Sequence, residues 1–486
     1  MVINPCSMKT RTKKLFVAIL LLLILTHPAC ADLASRINSI INTPANKKST
    51  FSIHIKKAGS RKTTYAHNAN TPLTPASNMK LITTAAALKY LGPDFQYKTT
   101  VGLCGDTLVI IGSGDPLFGD KVTDTKYLRE KDWIFKNIAD ELKKNNVTGI
   151  NDIIVDSTVF DDQLVHPNWP KEQLNRHYAC EISGLNYNEN CIDITTKNTN
   201  GKIYVLVEPK TDYVKITNKV KNIKQGKSAA GSYRTPNKPN NITVYGKCKK
   251  QVGPFAVAIE RPPAFFGSLL AEYLAASGIN ASGQLIEKAV PNNCNPKTLT
   301  QFTTPIQDCL ARCNKDSFQL AAESLYKTIA AQNSPKNKNG SWTRGRELIS
   351  KYLTDLGVDQ NEFYIDDGSG LSNKNKLSAN AINTVLNSLY KSKYWNQYRN
   401  SLAVGGLDGT IAKYFKEKKY KGKILGKTGY ISGAKTFSGI CVTDRGDYIF
   451  AVLANNTNGR TRDAINDIAK AIIDNYSDSE PKPKTR

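Results

Sequence analysis

The chain has 486 residues, with 67 lysines and arginines against 41 acidic residues for a formal charge of +26, and it carries 10 cysteines and 5 histidines. Its length argues for more than one domain. Scattered histidines without His-x-x-x-His or clustered Cys/His spacing give no metal site, and no cofactor is expected.

Lys9, Arg11, Lys13 and Lys14 precede an apolar run from Leu15 to Leu25, and Ala29-Cys30-Ala31 supplies the small residues of a cleavage site. The run is short for a membrane span. Residues 1–31 therefore read as a signal peptide, and cleavage after Ala31 would place an exported protein in the periplasm or cell envelope. Lipid attachment at Cys30 is the alternative, which His27 and Pro28 fit badly.

An exported chain rarely meets nucleic acid, and no basic motif interleaved with aromatics is present. The expected use of the positive charge is weak association with anionic wall polymers or membrane surfaces. A lysine-rich composition spread over solvated faces is the plainer account. Once Cys6 and Cys30 leave with the signal, Cys104, Cys180, Cys191, Cys248, Cys294, Cys309, Cys313 and Cys441 remain, an even number in an oxidising compartment. Cys180 with Cys191 is the easiest local pairing. Cys309 and Cys313 would sit one helical turn apart, a poor geometry for bridging each other, and buried free thiols are the other reading.

The most informative segment is Ser77-Asn78-Met79-Lys80. Pro75 suits a first helical turn, Leu81, Ile82, Ala85, Ala86 and Leu88 supply an apolar face, and Gly92 can end the helix. Serine and lysine at i and i+3 share a helix face, so the amine can take the hydroxyl proton: a nucleophile with its own base. No Gly-x-Ser-x-Gly elbow accompanies the histidines, which read as surface or loop residues, so a Ser-His-Asp hydrolase is poorly supported.

The next long stretch reads β-rich. Asp152 to Val155, Cys191 to Thr195, Ile203 to Val207 and Ile242 to Tyr245 are short, β-branched and bounded by Asn, Gly or Pro, while Gly226 to Asn241 reads as a mobile loop. Lys427-Thr428-Gly429 then leads into Phe437 to Val442 and Tyr448 to Ala454, and the intervening Asp444-Arg445-Gly446-Asp447 predicts an antiparallel hairpin. A phosphate loop is the competing reading of Gly426-Lys427-Thr428, but the glycine expected five positions before Gly426 is Lys421. An amphipathic helix around Ala464, Ile465, Ile468, Ala469 and Ile472 closes the chain, and Ser477 to Arg486 reads as a disordered tail.

With S-x-x-K and K-T-G in this order, the chain resembles the serine DD-peptidases and β-lactamases, and more closely the class C low-molecular-mass penicillin-binding proteins, the D-Ala-D-Ala carboxypeptidase/endopeptidase family. Thr74-Pro75-Ala76-Ser77-Asn78-Met79-Lys80-Leu81 is like that family's nucleophile helix, and Gly112-Ser113-Gly114-Asp115-Pro116 is like its G-D-P turn. Asp367-Gly368-Ser369-Gly370-Leu371-Ser372 matches its D-G-S-G-L-S block, and Gly406-Leu407-Asp408-Gly409-Thr410 its G-x-D-G-T segment. The family's S-x-N lies shortly before A-E-x-L. Here Ala322-Glu323-Ser324-Leu325 follows Ser317-Phe318-Gln319, so Gln replaces Asn, and Tyr430 replaces the usual Thr or Ser after K-T-G.

The resemblance implies an α/β (α+β) fold, an antiparallel sheet flanked by helices. The peptidase domain would be discontinuous, spanning 32–96 and 296–476, with two nested β-rich domains inserted over 97–295 and Leu185-Asn186-Tyr187-Asn188-Glu189-Asn190 as one of their blocks. It further implies that Ser77 attacks stem peptides of peptidoglycan ending in D-Ala-D-Ala and that Lys80 takes its proton. Ser317 would relay that proton to the leaving D-Ala, and Gln319 would hold the substrate amide. Lys427 and Thr428 of the Lys427-Thr428-Gly429 strand would bind the terminal carboxylate, with the N–H groups of Ser77 and Tyr430 facing the oxyanion. Asp367 to Ser372 and Asp408 to Thr410 would build cleft loops. β-Lactams are the expected inhibitors, and DD-endopeptidase action is a second capacity. A β-lactamase and a non-catalytic wall-binding scaffold are the rivals.

Overall fold

The computed structural model describes residues 29–477, apart from 236, 239 and 336–338. The expected signal segment up to residue 28 and the tail from residue 478 lie outside the described residues. Helix α1 (Ala29–Ile41) comes first, and the expected cut after Ala31 would fall in its opening turn.

The central sheet is antiparallel and six-stranded. It is built from β1 (Thr50–Lys57), β2 (Thr63–His67), β3 (Ala403–Val404), β4 (Ile424–Ile431), β5 (Ala434–Cys441) and β6 (Tyr448–Asn455), in the order β3-β4-β5-β6-β1-β2. The expected hairpin is β5–β6, with Ala434 opposite Asn455 and Cys441 opposite Tyr448. Strand β6 reads as a continuous apolar run because both faces are covered. Ile449, Ala451 and Leu453 enter a core with α2 (Met79–Leu91) and α6 (Ala379–Tyr390). Phe450, Val452 and Ala454 enter another with α1 and the closing helix α7 (Thr461–Tyr476), whose Ala464, Ile465, Ile468, Ala469 and Ile472 are buried as the sequence predicts. Three further helices, α3 (Ile306–Lys315), α4 (Gln319–Gln332) and α5 (Trp342–Asp355), pack on the α2 side.

Between α2 and α3 the chain forms other sheets around a separate core. It leaves along strand Gln96–Cys104 and returns along Lys297–Pro305, paired antiparallel with Pro305 opposite Gln96. Those two join Thr107–Ile111, Ile153–Asp156 and Leu285–Glu287 in a five-stranded sheet, and two three-stranded sheets follow, one around Cys191–Thr199 and one around Asn241–Cys248.

Three expectations need correction. The segment Gly226 to Asn241 is not all loop: Ala229–Arg234 is a strand, paired with Asn241–Cys248 from Ala229 opposite Lys247 to Arg234 opposite Ile242. Its small residues hide the strand pattern, and backbone pairing at a sheet edge supplies what the side chains do not. Cys180 and Cys191 are free and buried, and the bridge is Cys104–Cys294, 190 residues apart. The ladder that sets Lys297 opposite Leu103 brings these two sulfurs together. His54 is neither at the surface nor in a loop: it is buried in β1, and burial pushes its pKa down to about 4, whereas His166 lies in a loop as expected but is buried against Trp169 and Trp342.

Candidate active site

Every residue from Leu73 to Leu88 is buried except Ser77. The cause is local. Ala76 has φ of +45°, a left-handed conformation that costs a non-glycine residue about 1–2 kcal/mol, and a 3-10 turn over Ala76–Asn78 leads into α2. Sheet contacts hold the strained turn. Asn78 Nδ2 donates to the Lys427 carbonyl, Ser438 Oγ donates to Asn78 Oδ1 at 2.8 Å, and Thr436 Oγ1 donates to the Pro75 carbonyl at 2.9 Å. Strand and turn meet at Gly429, where a Cβ would lie 2.9 Å from both Ser77 N and the Pro75 oxygen. That contact explains the glycine of K-T-G.

Lys80 is fully buried on α2, with Nζ 3.1 Å from Ser77 Oγ and donating to the Ser369 carbonyl at 2.8 Å. Ser369 belongs to the D-G-S-G-L-S block, which two carboxylates hold, one from within the block and one from α4. Asp367 accepts the N–H groups of Gly370 and Ser372, each at 2.7 Å, and the Trp169 indole N–H at 2.9 Å. Glu323 on α4 accepts the N–H groups of Ser369 at 2.7 Å and Gly368 at 3.0 Å, and the Trp342 indole at 2.8 Å. Gly370, at φ +82°, lies where a Cβ would come 1.8 Å from the Ala76 oxygen, so the loop is pressed onto the nucleophile turn.

Burial lowers the pKa of Lys80, against the pull of Cys313, Glu323 and Asp367. Burial also holds Lys427 well below its usual value, with Lys80 the next cause. The repulsion between the two amines thus weighs on Lys427. Burial, with Asp367 beside it, pushes Glu323 up to about 7 while its three N–H donors pull it back.

On the opposite wall, Lys427 Nζ donates to Ser317 Oγ at 2.9 Å and to the Thr428 carbonyl at 2.8 Å. Ser317 is a second left-handed non-glycine residue, at φ +62°. Gln319 opens α4 half-buried, and its carboxamide makes no hydrogen bond among the described residues. Strand β3 pairs only with Leu425 and Gly426, so β4 is an open edge from Lys427 onward. The Thr428 and Thr410 hydroxyls lie 3.0 Å apart, while Asp408 accepts the Val404 N–H at 2.7 Å and pairs with Lys315. Tyr430 is 69 % exposed.

Ser77 with Lys80 and Ser317 with Lys427 therefore face one cleft, with Thr428, Gly429 and Tyr430 along its edge. Sequence reasoning gave no role to Asn78 or Glu323, and it placed Ser369 and Thr410 in cleft loops without their contacts to Lys80 and Thr428. Glu323 stood only as a landmark in A-E-x-L, and the conspicuous D-G-S-G block was the available signal for Ser369.

A serine joined to a buried lysine, beneath the edge of a six-stranded antiparallel sheet flanked by helices, defines a serine acyl-transfer enzyme of the penicillin-interacting type. The chain belongs to the D-Ala-D-Ala carboxypeptidase 3 (S13) family, which it matches over residues 33–476. It is 25% identical over 482 residues to the D-alanyl-D-alanine carboxypeptidase of Actinomadura sp. (strain R39), covering 92% of this chain and 85% of that one. It is 22% identical over 406 residues to the D-alanyl-D-alanine carboxypeptidase DacB of Haemophilus influenzae, covering 79% and 80%. Among solved structures, penicillin binding protein 4 (dacB) from Haemophilus influenzae superposes with a TM-score of 0.76 at 20% identity, over 91% of this chain and 99% of that one. The fold class implied by the resemblance is thereby shown.

Proposed function

We propose that this serine-type D-Ala-D-Ala carboxypeptidase acts on peptidoglycan stem peptides through an acyl-enzyme on Ser77. One observation carries the reading: Lys80 Nζ, buried and depressed in pKa, stands 3.1 Å from Ser77 Oγ with the Ser369 carbonyl fixing one of its N–H bonds. A neutral amine so held keeps its lone pair for the serine proton. Ser77 Oγ attacks the carbonyl carbon of the penultimate D-Ala as its proton passes to Lys80. The C–N bond then breaks, and the departing D-Ala amine takes a proton through Ser317, which Lys427 orients. Lys427 and Thr428 receive the terminal carboxylate, Gln319 the substrate amide, and the Ser77 and Tyr430 N–H groups the oxyanion. Water then hydrolyses the Ser77 ester.

The peptidase domain in this reading comprises 32–96 and 296–476, with 97–295 inserted. Residues 1–31 export it to the periplasm or cell envelope, where its positive charge gives weak association with anionic wall or membrane surfaces. β-Lactams inhibit it as analogues of the scissile amide and its carboxylate. Mass spectrometry after benzylpenicillin tests the assignment: a long-lived adduct on Ser77 is expected, absent in Ser77→Ala. An adduct on another serine overturns the site, and rapid release of penicilloate points to a β-lactamase.

A further inference from the structure

Asn188, Glu189 and Asn190 follow one another in the left-handed backbone region, at φ of +49°, +59° and +52°. Asparagine tolerates that conformation because its short side chain can bond locally. Both asparagines do so here: Asn188 Nδ2 donates to the Cys191 carbonyl at 2.7 Å, and Asn190 Oδ1 accepts the Tyr187 N–H at 3.0 Å. The Glu189 side chain instead leaves the turn, and its carboxylate accepts Arg312 Nη2 at 3.3 Å, from a residue 123 positions further along the chain. A strained glutamate held between two asparagines suited to the turn points to a task at the far end of that contact.

Arg312 lies in the last turn of α3, with 11 % of its side chain exposed. Its Nε and Nη2 donate to the two oxygens of Asp120 at 3.1 and 2.7 Å, the forked geometry that guanidinium and carboxylate share. Asp120 is fully buried and is fixed in turn by the N–H and hydroxyl of Thr123. Asp120 and Glu189 both come from the stretch between α2 and α3, so that stretch grips the guanidinium from outside the catalytic core. The remaining nitrogen, Nη1, donates to Asp316 at 2.9 Å, while the Arg312 carbonyl accepts the Phe318 N–H at 3.1 Å and the guanidinium lies 4.6 Å from the Phe318 ring centre. Those contacts flank Ser317, itself left-handed, whose Oγ accepts from Lys427. Burial, followed by Asp120, pushes Glu189 up to about 7: the two acids crowd one another, and the guanidinium is what holds them together.

We propose that Arg312 is the positioning residue of Ser317, clamped by Asp120 and Glu189 so that the Ser317 hydroxyl stands where a proton must cross to the leaving amine; this rests on the acyl-enzyme route given above. In acylation by a D-Ala-D-Ala peptide the bond from Ser77 Oγ to the carbonyl carbon forms and the C–N bond breaks. The Ser77 proton, taken up by Lys80, passes to Ser317 as the Ser317 proton passes to the departing nitrogen. An amine cannot leave without that proton, whereas a thiolate leaves as the anion. A loosened Ser317 therefore harms amide cleavage and spares a thioester. A cleft that has lost its general shape harms both.

The test compares kcat/KM of the full-length enzyme on an acyl-D-Ala-D-Ala peptide and on the matching thioester of D-thiolactate, which keeps the methyl group and the terminal carboxylate. Arg312→Gln is expected to lose about 30-fold on the peptide and less than about threefold on the thioester. Glu189→Gln leaves Arg312 bonded to Asp120 and Asp316, so it carries the test if the first variant does not fold; a loss of about fivefold, confined to the peptide, is expected. Equal losses on the two substrates, or wild-type rates on the peptide in both variants, overturn the proposal. Ser317→Ala separates it from the reading beneath, since that variant should show the same split more deeply. If Ser317→Ala loses the thioester as heavily as the peptide, the proton relay fails and its positioning with it, and a wild-type enzyme that cleaves neither substrate removes the peptidase reading altogether.

Discussion

The two walls of the cleft hold the same pair of side chains, a lysine on a serine, in opposite electrostatic settings. On the α2 wall, Lys80 is buried within the field of Glu323 and Asp367, which pull its pKa back up while burial lowers it. On the β4 wall, Lys427 is buried with Lys80 and Arg462 both adding to the depression. The carboxylates of the first wall are spent on backbone N–H groups of the D-G-S-G loop, so they position Lys80 through the Ser369 carbonyl without pairing with its ammonium. On the second wall the carboxylate whose charge favours Lys427 is Asp316, and it stands behind burial, Lys80 and Arg462. The difference separates two tasks: a base must give up its charge, whereas a carboxylate receptor is left short of an anion until the substrate brings one.

The largest test of that division is Lys80→Arg. Guanidinium keeps its charge and cannot accept the Ser77 proton, so benzylpenicillin acylation should fall by at least ~10²-fold. Near-normal labelling would move the base elsewhere. In the wild type, acylation should rise with pH through a Lys80 pKa below that of ordinary lysine, because only the neutral amine is a base. A plateau reached only above the usual lysine range would mean that burial does not depress this amine.

Glu323 comes next. Removing its side chain in Glu323→Ala leaves three buried N–H donors unpaired, a loss of about 3 kcal/mol in stability, and frees the Ser369 carbonyl, so acylation should fall by about 30-fold. Glu323→Gln isolates the charge. A carboxyl raised from 4.5 to about 7 in the folded state contributes stability that is complete below about 4.5 and lost as pH rises through 7. Urea midpoints should therefore favour wild type over Glu323→Gln more at pH ~5 than at pH ~8. The opposite trend would show that the three N–H donors outweigh burial and keep the carboxylate ionised throughout.

What was legible in the sequence divides along similar lines. The nucleophile helix, the β5–β6 hairpin and α7 announce themselves because their patterns are local: i, i+3 spacing, a Gly-Asp turn, an apolar stripe. Glu323 was not legible in its role, because it acts on backbone N–H groups more than 40 residues further along the chain. The Cys104–Cys294 bridge depends on the register between two distant strands, and proximity in sequence favoured Cys180 with Cys191 instead. Ala229–Arg234 carries no side-chain signature that separates an edge strand from a loop.

Gln319 makes the finest test, since it is a departure from the family pattern and its carboxamide has no hydrogen-bond partner among the described residues. It follows Ser317 by two residues at the start of α4, so its side chain starts beside the Lys427–Ser317 pair. If it holds the substrate amide, Gln319→Ala loses one hydrogen bond to substrate, and kcat/KM on an acyl-D-Ala-D-Ala peptide should drop about tenfold. Gln319→Asn moves the same carboxamide back by one methylene, about 1.5 Å, to the reach the family pattern employs. Turnover should then stay within about twofold of wild type or rise. A drop in Asn as deep as in Ala would mean that this cleft has settled around the longer side chain. Wild-type rates in Ala would take residue 319 out of the reaction, leaving the β4 wall to hold substrate by Lys427 and Thr428 alone.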